Sequence, residues 1–135
     1  MKGRIMAEIK LKKREEMDPA YCWDLSSLFA SDAAFEETER EIEKKIEAFR
    51  SRQGTMKESA EALYRVLSDL DEISRVFSSL YVYASQKYHQ DMGNQKYQGY
   101  AGKMDSMMAV LADAASFVEP EILELDEETV AKFEE

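Results

Sequence analysis

Cysteine, histidine, proline and glycine are all scarce in this sequence. Its 135 residues include one cysteine, one histidine, two prolines and five glycines. The lone Cys22 excludes an internal disulfide and is typical of a reducing compartment, so we expect a cytoplasmic location. No apolar run approaches the roughly 20 residues that cross a bilayer, and no apolar segment follows the basic N-terminus as in a secretory signal. We therefore expect no membrane partner.

Positive charge is also in short supply, and it is unevenly placed. The chain has 18 basic and 28 acidic residues, for a net charge of −10, yet residues 1–14 hold six basic residues and one acidic residue. An acidic body repels phosphate backbones, so we expect no nucleic-acid partner. We interpret residues 1–20 as a basic, partly flexible leader and residues 21–135 as the domain. A short basic arm for nucleic acid or membrane is the alternative for the leader.

Apolar residues recur at helical spacing through most of the chain. The stripe of the first helix comprises Phe35, Ile42, Ile46 and Phe49. The pattern predicts long helices near residues 32–52, 59–89 and 95–118, and the start of a fourth near residue 127. Long helices joined by short breaks are typical of an antiparallel bundle or hairpin stack. We therefore expect an all-α fold of three long helices plus a truncated fourth.

Polar and special residues mark the expected helix ends. The candidate N-caps are Ser31 or Asp32, Thr55 with Glu58 or else Ser59, then Asn94 and Asp126. We expect Gly93 to adopt a left-handed backbone and Pro120 to stop the third helix. The last apolar pattern reaches Glu135 without a helix stop signal, so we expect the chain to be an incomplete protein.

Four segments carry a resemblance to a known family. Residues 21–29 read YCWDLSSLF, and the matches that follow in order are residues 80–85, then Asp91, Asn94 and Tyr97, then residues 116–123. Together they resemble the N-terminal region of oligoendopeptidase F, a zinc metallopeptidase family related to thimet oligopeptidase. Met92, where threonine is more usual, and the helix-weakening Gly99 and Gly102 depart from the pattern.

The resemblance implies a fold, an activity and partners. It implies an N-terminal helical domain that forms part of the wall of a channel for short oligopeptides. The zinc cofactor and its HExxH motif would lie in a C-terminal catalytic domain of the same protein, which would be the partner of this segment. His89 is followed by Gln90 and Asp91, so this chain contains no HExxH. We expect no catalytic, cofactor or metal residue here, and no peptidase activity from the chain itself.

Several residues could instead serve a substrate channel or domain docking. The candidates are Trp23, Phe29, Tyr83 and Tyr88. The apolar residues 23–29 could equally close one end of the bundle. The methionines and tyrosines of the third helix could form core or an adaptable peptide surface. Gly99 and Gly102 could admit a neighbouring helix or be tolerated weak positions.

Two single residues could have either a chemical role or a purely structural one. His89 could be a metal ligand or a polar residue at a helix end, and Cys22 a nucleophile or a half-buried thiol beside Trp23. We interpret the acidic clusters of the sequence as solvated surface, because they do not follow the pattern of a calcium-binding loop. The alternative function for the whole chain is a free-standing helical protein–protein interaction module. A fragment would expose apolar surface and could self-associate.

Overall fold

The computed structural model describes residues 11–133 of the chain. Five α-helices run along it: α1 (Asp32–Phe49), α2 (Ala60–Gln90), α3 (Gln95–Ala115), α4 (Val118–Leu123) and α5 (Glu127–Phe133). No strand occurs within these residues, so the predicted all-α class is confirmed. Residues 1–10 of the expected basic leader lie outside the described residues, and the leader remains a prediction.

The three long helices form an up-down-up bundle in which each helix packs against the other two. Lys96 at the start of α3 contacts Asp32 at the start of α1. At the other end, Arg50 just after α1 lies 2.6 Å from Asp113 near the end of α3. These pairs show that α1 and α3 run in the same direction, with α2 antiparallel to both.

The predicted apolar stripes form the core. The four residues of the α1 stripe are buried, and the buried residues that face them are Val66, Ile73, Phe77, Leu80, Tyr83 and Ala84 of α2 and Met104, Met107 and Ala114 of α3. The helical spacing of apolar residues also predicts Leu67 of α2 and Met108 of α3 on these apolar faces, but they are about two-fifths exposed, at 40% and 45%. The core therefore takes up two of the three methionines of α3, and Met108 remains at the surface.

Side-chain caps begin the long helices at the expected places. The hydroxyls of Ser31 and Ser59 accept the backbone N–H groups of Ala34 and Ala62 at 3.2 and 3.0 Å. Ser59 thus caps α2 in place of Thr55, whose hydroxyl donates to the carbonyl of Arg52. Asn94 caps α3. The carboxylate of Asp126 accepts the backbone N–H of Thr129 at the start of α5.

The sequence predicted that Pro120 would stop the third helix, and this prediction is wrong. Helix α3 already ends at Ala115, and Pro120 is the third residue of α4, where its missing N–H has no intrahelical acceptor to lose. Between the two helices the chain turns to bury Phe117, whose ring centroid lies 5.4 Å from that of Phe49. Burial of this aromatic ring accounts for the end of α3 at Ala115, before the predicted end at residue 118. It also accounts for α4, which the sequence analysis did not predict.

The expected left-handed glycine is also at a different position. Among the described residues Gly54 is the one with positive φ, at +85°, and Gly93 is not left-handed. Gly54 follows the single 3₁₀ turn that extends α1, where the chain must reverse before α2. None of the described helices is long and apolar enough to cross a membrane.

Candidate functional site

Asp32 is the centre of a polar cluster that joins the three long helices at one end of the bundle. Its carboxylate accepts hydrogen bonds from the Tyr83 hydroxyl at 2.8 Å, the Lys96 ammonium at 2.9 Å and the Tyr97 hydroxyl at 3.2 Å. Lys87 completes this Asp32 cluster, with its ammonium 3.8 Å from the carboxylate. One residue of α1 therefore binds two residues of α2 and two of α3.

The environment of the Asp32 cluster shifts the pKa of its members in a consistent direction. Partial burial alone would raise the pKa of Asp32, but hydrogen bonds from Lys96 and Tyr83 and the charge of Lys87 outweigh it and lower the pKa. Burial, followed by the hydrogen bond to Asp32, raises the pKa of Tyr83. The hydrogen bond to Asp32 raises the pKa of Lys96. At neutral pH Asp32 is thus a fixed anion with a neutral phenol and an ammonium bound to it.

Aromatic rings pack beneath this polar cluster. The Phe35 ring stacks on Tyr83, with 5.2 Å between centroids, and lies 4.5 Å from Tyr100. Tyr100 in turn donates a hydrogen bond to Glu36, one turn from Asp32 along α1. Burial and this bond raise the pKa of Tyr100 to about 12. The rings fix the positions of the hydroxyls, so the polar cluster has little freedom to rearrange.

A cleft of about 540 Å³ opens beside the Asp32 cluster. We call it the Trp23 cleft; the side chains that define it are Arg14, Trp23, Phe29, Asp32, Tyr83 and Lys87. The segment before α1 forms its outer wall, where the Asp24 carboxylate accepts the Ser26 N–H at 2.9 Å and starts a tight turn. This local hydrogen bond lowers the pKa of Asp24. The cleft is thus lined by both aromatic and charged side chains.

The structure brings together three of the four candidate channel or docking residues. Trp23, Phe29 and Tyr83 line the Trp23 cleft, whereas Tyr88 does not. Their exposure differs widely: Trp23 is 84% exposed and Tyr83 only 2%. Phe29 and its neighbour Leu25 pack against the core. The apolar segment 23–29 is therefore split between core packing and an exposed tryptophan.

The residues weighed as metal or nucleophile candidates lie apart from this cleft. His89 is exposed near the end of α2, with its ring 5.6 Å from that of Tyr88. Cys22 is half-buried, and its Sγ lies 3.5 Å from the carbonyl of Asp18. Within residues 11–133 no three histidine, cysteine or carboxylate side chains converge as metal ligands. The donor groups of the described residues do not fit a zinc site.

Sequence reasoning missed the charged half of this site. Asp32 was considered only as an N-cap, and Lys87 and Lys96 were not singled out. The residues that donate hydrogen bonds to Asp32 lie 51 to 65 residues from it along the chain. No local spacing in the sequence therefore indicates these contacts. A signal did exist, because Asp32 begins α1, Lys96 lies in the first turn of α3 and Lys87 lies in the last turn of α2. In an up-down-up bundle these positions meet at one end.

The described residues thus define an all-α segment with a cleft lined by charged and aromatic side chains. The chain is 33% identical to the chromosomal oligoendopeptidase F of Lactococcus lactis subsp. cremoris over 91% of its own length and 21% of the relative's. It is 31% identical to the oligopeptidase PepF of Bacillus subtilis over 98% of its length and 20% of the relative's. No protein-family model matches the chain.

A solved structure shows the same likeness. The oligoendopeptidase-F crystal structure from Enterococcus faecium superposes with a TM-score of 0.68 and 28% identity, over 76% of this chain and 20% of that one. The resemblance to oligoendopeptidase F that the sequence indicated is therefore confirmed. The chain spans about one fifth of the length of the curated relatives it matches.

Proposed function

We propose that this chain is the N-terminal helical domain of an oligoendopeptidase F-like zinc metallopeptidase. One observation carries the proposal: nine-tenths of the chain matches about one fifth of peptidases of that name. In the proposed parent protein the remaining four-fifths would supply the catalytic domain, which would be the main partner of this segment. The substrates would be short oligopeptides, and the compartment the cytoplasm.

The chemistry of peptide hydrolysis would lie outside this chain. A catalytic zinc site needs three protein ligands and an open position for water. This chain has one histidine and no HExxH. Its acidic side chains are spread over helix surfaces, without three convergent ligands in the described part. We accordingly assign no residue of this chain to the bond-breaking step.

This segment would contribute the shape of the channel wall and contacts with the peptide substrate. A wall must keep its shape while peptides of varied sequence pass, and the Asp32 cluster and the rings beneath it give this end of the bundle a fixed shape. The Trp23 cleft offers the open, partly aromatic surface that a peptide side chain could contact. We propose that this end of the bundle faces the substrate channel, with Trp23 and Phe29 on its wall.

A chimera tests the proposal directly. The segment of Bacillus subtilis PepF that matches this chain would be replaced by residues 1–135, and a truncated PepF lacking the segment would serve as control. We expect the chimera to cleave a quenched fluorescent oligopeptide and the truncated control to fail. A zinc chelator should stop the cleavage. A soluble, zinc-loaded chimera with no activity would contradict the proposal.

An interaction module remains the alternative because the described surface exposes several large apolar side chains. Tyr21, Trp23, Tyr64 and Leu123 are each more than 70% exposed. If these side chains face the rest of a peptidase, the isolated chain should self-associate and bind a hydrophobic dye. Sedimentation that shows a compact monomer without dye binding, together with an inactive chimera, would favour a free-standing module.

A further inference from the structure

Lys87 and Arg14 line the Trp23 cleft, and within the described part of the chain neither donates a hydrogen bond to a carboxylate. The ammonium of Lys87 lies 3.8 Å from Asp32 Oδ1, beyond hydrogen-bond reach. Arg14 also lines the cleft, and among residues 11–133 it takes part in no ion pair. Both cations therefore have N–H groups that a ligand could use.

The packing around Lys87 explains why its ion pair with Asp32 is long and includes no hydrogen bond. The Asp32 carboxylate already accepts hydrogen bonds from Tyr83, Lys96 and Tyr97. Lys87 is held instead by aromatic faces, with its ammonium 5.3 Å from the centroids of both the Tyr83 and the Tyr97 ring. Cation–π contacts at this range position an ammonium but leave its N–H groups free to donate.

The second carboxylate of the cleft is also engaged. Asp24 accepts the backbone N–H of Ser26 within its own turn. Asp32 is paired with Lys96, which approaches it at 2.9 Å. The charges that line the cleft balance, with Arg14 and Lys87 against Asp24 and Asp32. Both carboxylates accept hydrogen bonds from other groups, so an anion that enters the cleft would find N–H donors of Lys87 and Arg14 that no carboxylate of the described residues occupies.

Two aromatic side chains, Trp23 and Phe29, line the same cleft as these cations. Trp23 is 84% exposed. Phe29 packs edge-on against Tyr83 and Phe35 at 5.3 and 5.8 Å, which gives this part of the cleft a rigid base. At about 540 Å³ the cleft falls in the usual range of small-ligand sites, roughly 300 to 1,000 Å³. The site therefore combines an anion-binding end with an aromatic surface for an apolar group.

We propose that the Trp23 cleft binds the C-terminal residue of an oligopeptide. The free carboxylate would accept hydrogen bonds from Lys87 and Arg14, and an apolar side chain would lie against Trp23 and Phe29. The proposal rests on the proposed function for the choice of an oligopeptide as ligand. It adds which end of the peptide is recognised and by which residues. A neutral internal peptide segment would offer the two cations carbonyl acceptors but no negative charge, so it would bind them less strongly.

Trp23 provides the readout, because it is the one tryptophan of the chain. Its fluorescence would be titrated with a five-residue peptide ending in phenylalanine as the free acid. The same peptide as its C-terminal amide, and an amide with aspartate as its fourth residue, would serve for comparison. We expect the free acid to bind at least about tenfold more tightly than either amide, because hydrogen bonds to a charged group are the stronger ones.

Charge-removing variants connect the effect to the two cations. Lys87→Gln and Arg14→Gln should each bring the acid-to-amide affinity ratio towards one. Lys87→Arg should retain most of the ratio. Lys45→Gln removes the same charge from the exposed Lys45–Glu72 pair, outside the cleft, and should leave the ratio unchanged. Circular dichroism of each variant separates loss of binding from loss of fold.

The outcomes separate this inference from the function on which it rests. Equal affinity for acid and amide would overturn the carboxylate assignment, even if the chimera with PepF is active. If the aspartate-containing amide binds as tightly as the acid, the cleft recognises a carboxylate but not the peptide terminus, which also overturns the proposal. Failure of the free acid to bind overturns it as well. The activity of the chimera decides the proposed function independently of all three results.

Discussion

Asp32 shows how much one residue contributes to this bundle. Its carboxylate accepts hydrogen bonds from two tyrosine hydroxyls and one ammonium of the other two long helices. Its side chain is 22% exposed, so these bonds are partly shielded from water. An anion shared in this way holds the ends of α1, α2 and α3 together at the Trp23 cleft.

Asp32→Asn should therefore destabilise the chain in a pH-dependent way. Replacing the anion weakens several charge-assisted bonds, and we expect a loss of about 2 kcal/mol in the free energy of unfolding at pH 7. The folded-state pKa of Asp32 is lowered. Its contribution is thus present above the unfolded-state pKa, near 4, and is lost as the pH falls through the folded-state value.

Urea unfolding followed by circular dichroism between pH 3 and 7 measures this effect. The variant should lose less stability than the unchanged chain as the pH falls. Asp71→Asn is the matched control, because Asp71 is exposed on α2 and takes part in none of the ion pairs formed within residues 11–133. Equal acid sensitivity in the unchanged chain and Asp32→Asn would contradict the role given to Asp32.

Tyr83 and Tyr88 should respond differently to substitution, although both were candidates for a channel wall. Tyr83 is 2% exposed, so Tyr83→Lys would bury a charge and should unfold the chain, whereas Tyr83→Phe should cost only about 1 kcal/mol. Tyr88 is half-buried, and Tyr88→Lys should be tolerated. Thermal unfolding of the three variants checks this order. A folded Tyr83→Lys variant would contradict the assignment of Tyr83 to the core.

At the scale of the elements, α3 is weaker than its neighbours in local preference. Gly99 and Gly102 lie in its first half, each with no atom within 4 Å of the place where a Cβ would be. No described neighbouring helix approaches them closely. In the isolated chain they are therefore helix-weakening positions without a packing role, although another domain could cover this face in a parent protein.

Gly99→Ala and Gly102→Ala should each stabilise the isolated chain by about 0.5 to 1 kcal/mol. Alanine reduces the freedom of the unfolded chain and meets nothing in the folded one. Gly54→Ala is the contrasting control, because its φ of +85° strains any residue with a Cβ, and it should destabilise the chain by about 1 kcal/mol. Chemical denaturation measures all three. Destabilisation by both helical substitutions would show that the face is already covered, for example by self-association.

At the scale of the whole molecule, the chain should have no peptidase activity, with or without added zinc. A single histidine cannot supply the two histidines that an HExxH helix places one turn apart. The assay is cleavage of a quenched fluorescent oligopeptide by the purified chain, with the active PepF chimera as positive control. Zinc-dependent turnover by the isolated chain that disappears in His89→Ala would overturn this expectation.

The sequence by itself determined the helical class and the three long helices, and it limited the caps of α1 and α2 to two candidates each. These features follow from local periodicity and from side chains that bond to backbone groups two or three residues away, as at Ser31, Ser59 and Asp126. It also determined the resemblance to oligoendopeptidase F, through residues 21–29 and the ordered matches that follow. Local chemistry and order along the chain were sufficient for these conclusions.

Only the tertiary structure decided the early end of α3, the burial of Tyr83 and the composition of the Trp23 cleft. Each depends on contacts between residues far apart in sequence, such as Phe49 with Phe117 and Asp32 with Lys96. The side chains of Trp23 and Phe29 are close in sequence and both apolar, yet one is exposed and the other packs on the core. Which side chain is buried depends on where the three helices meet, and local spacing does not encode that position.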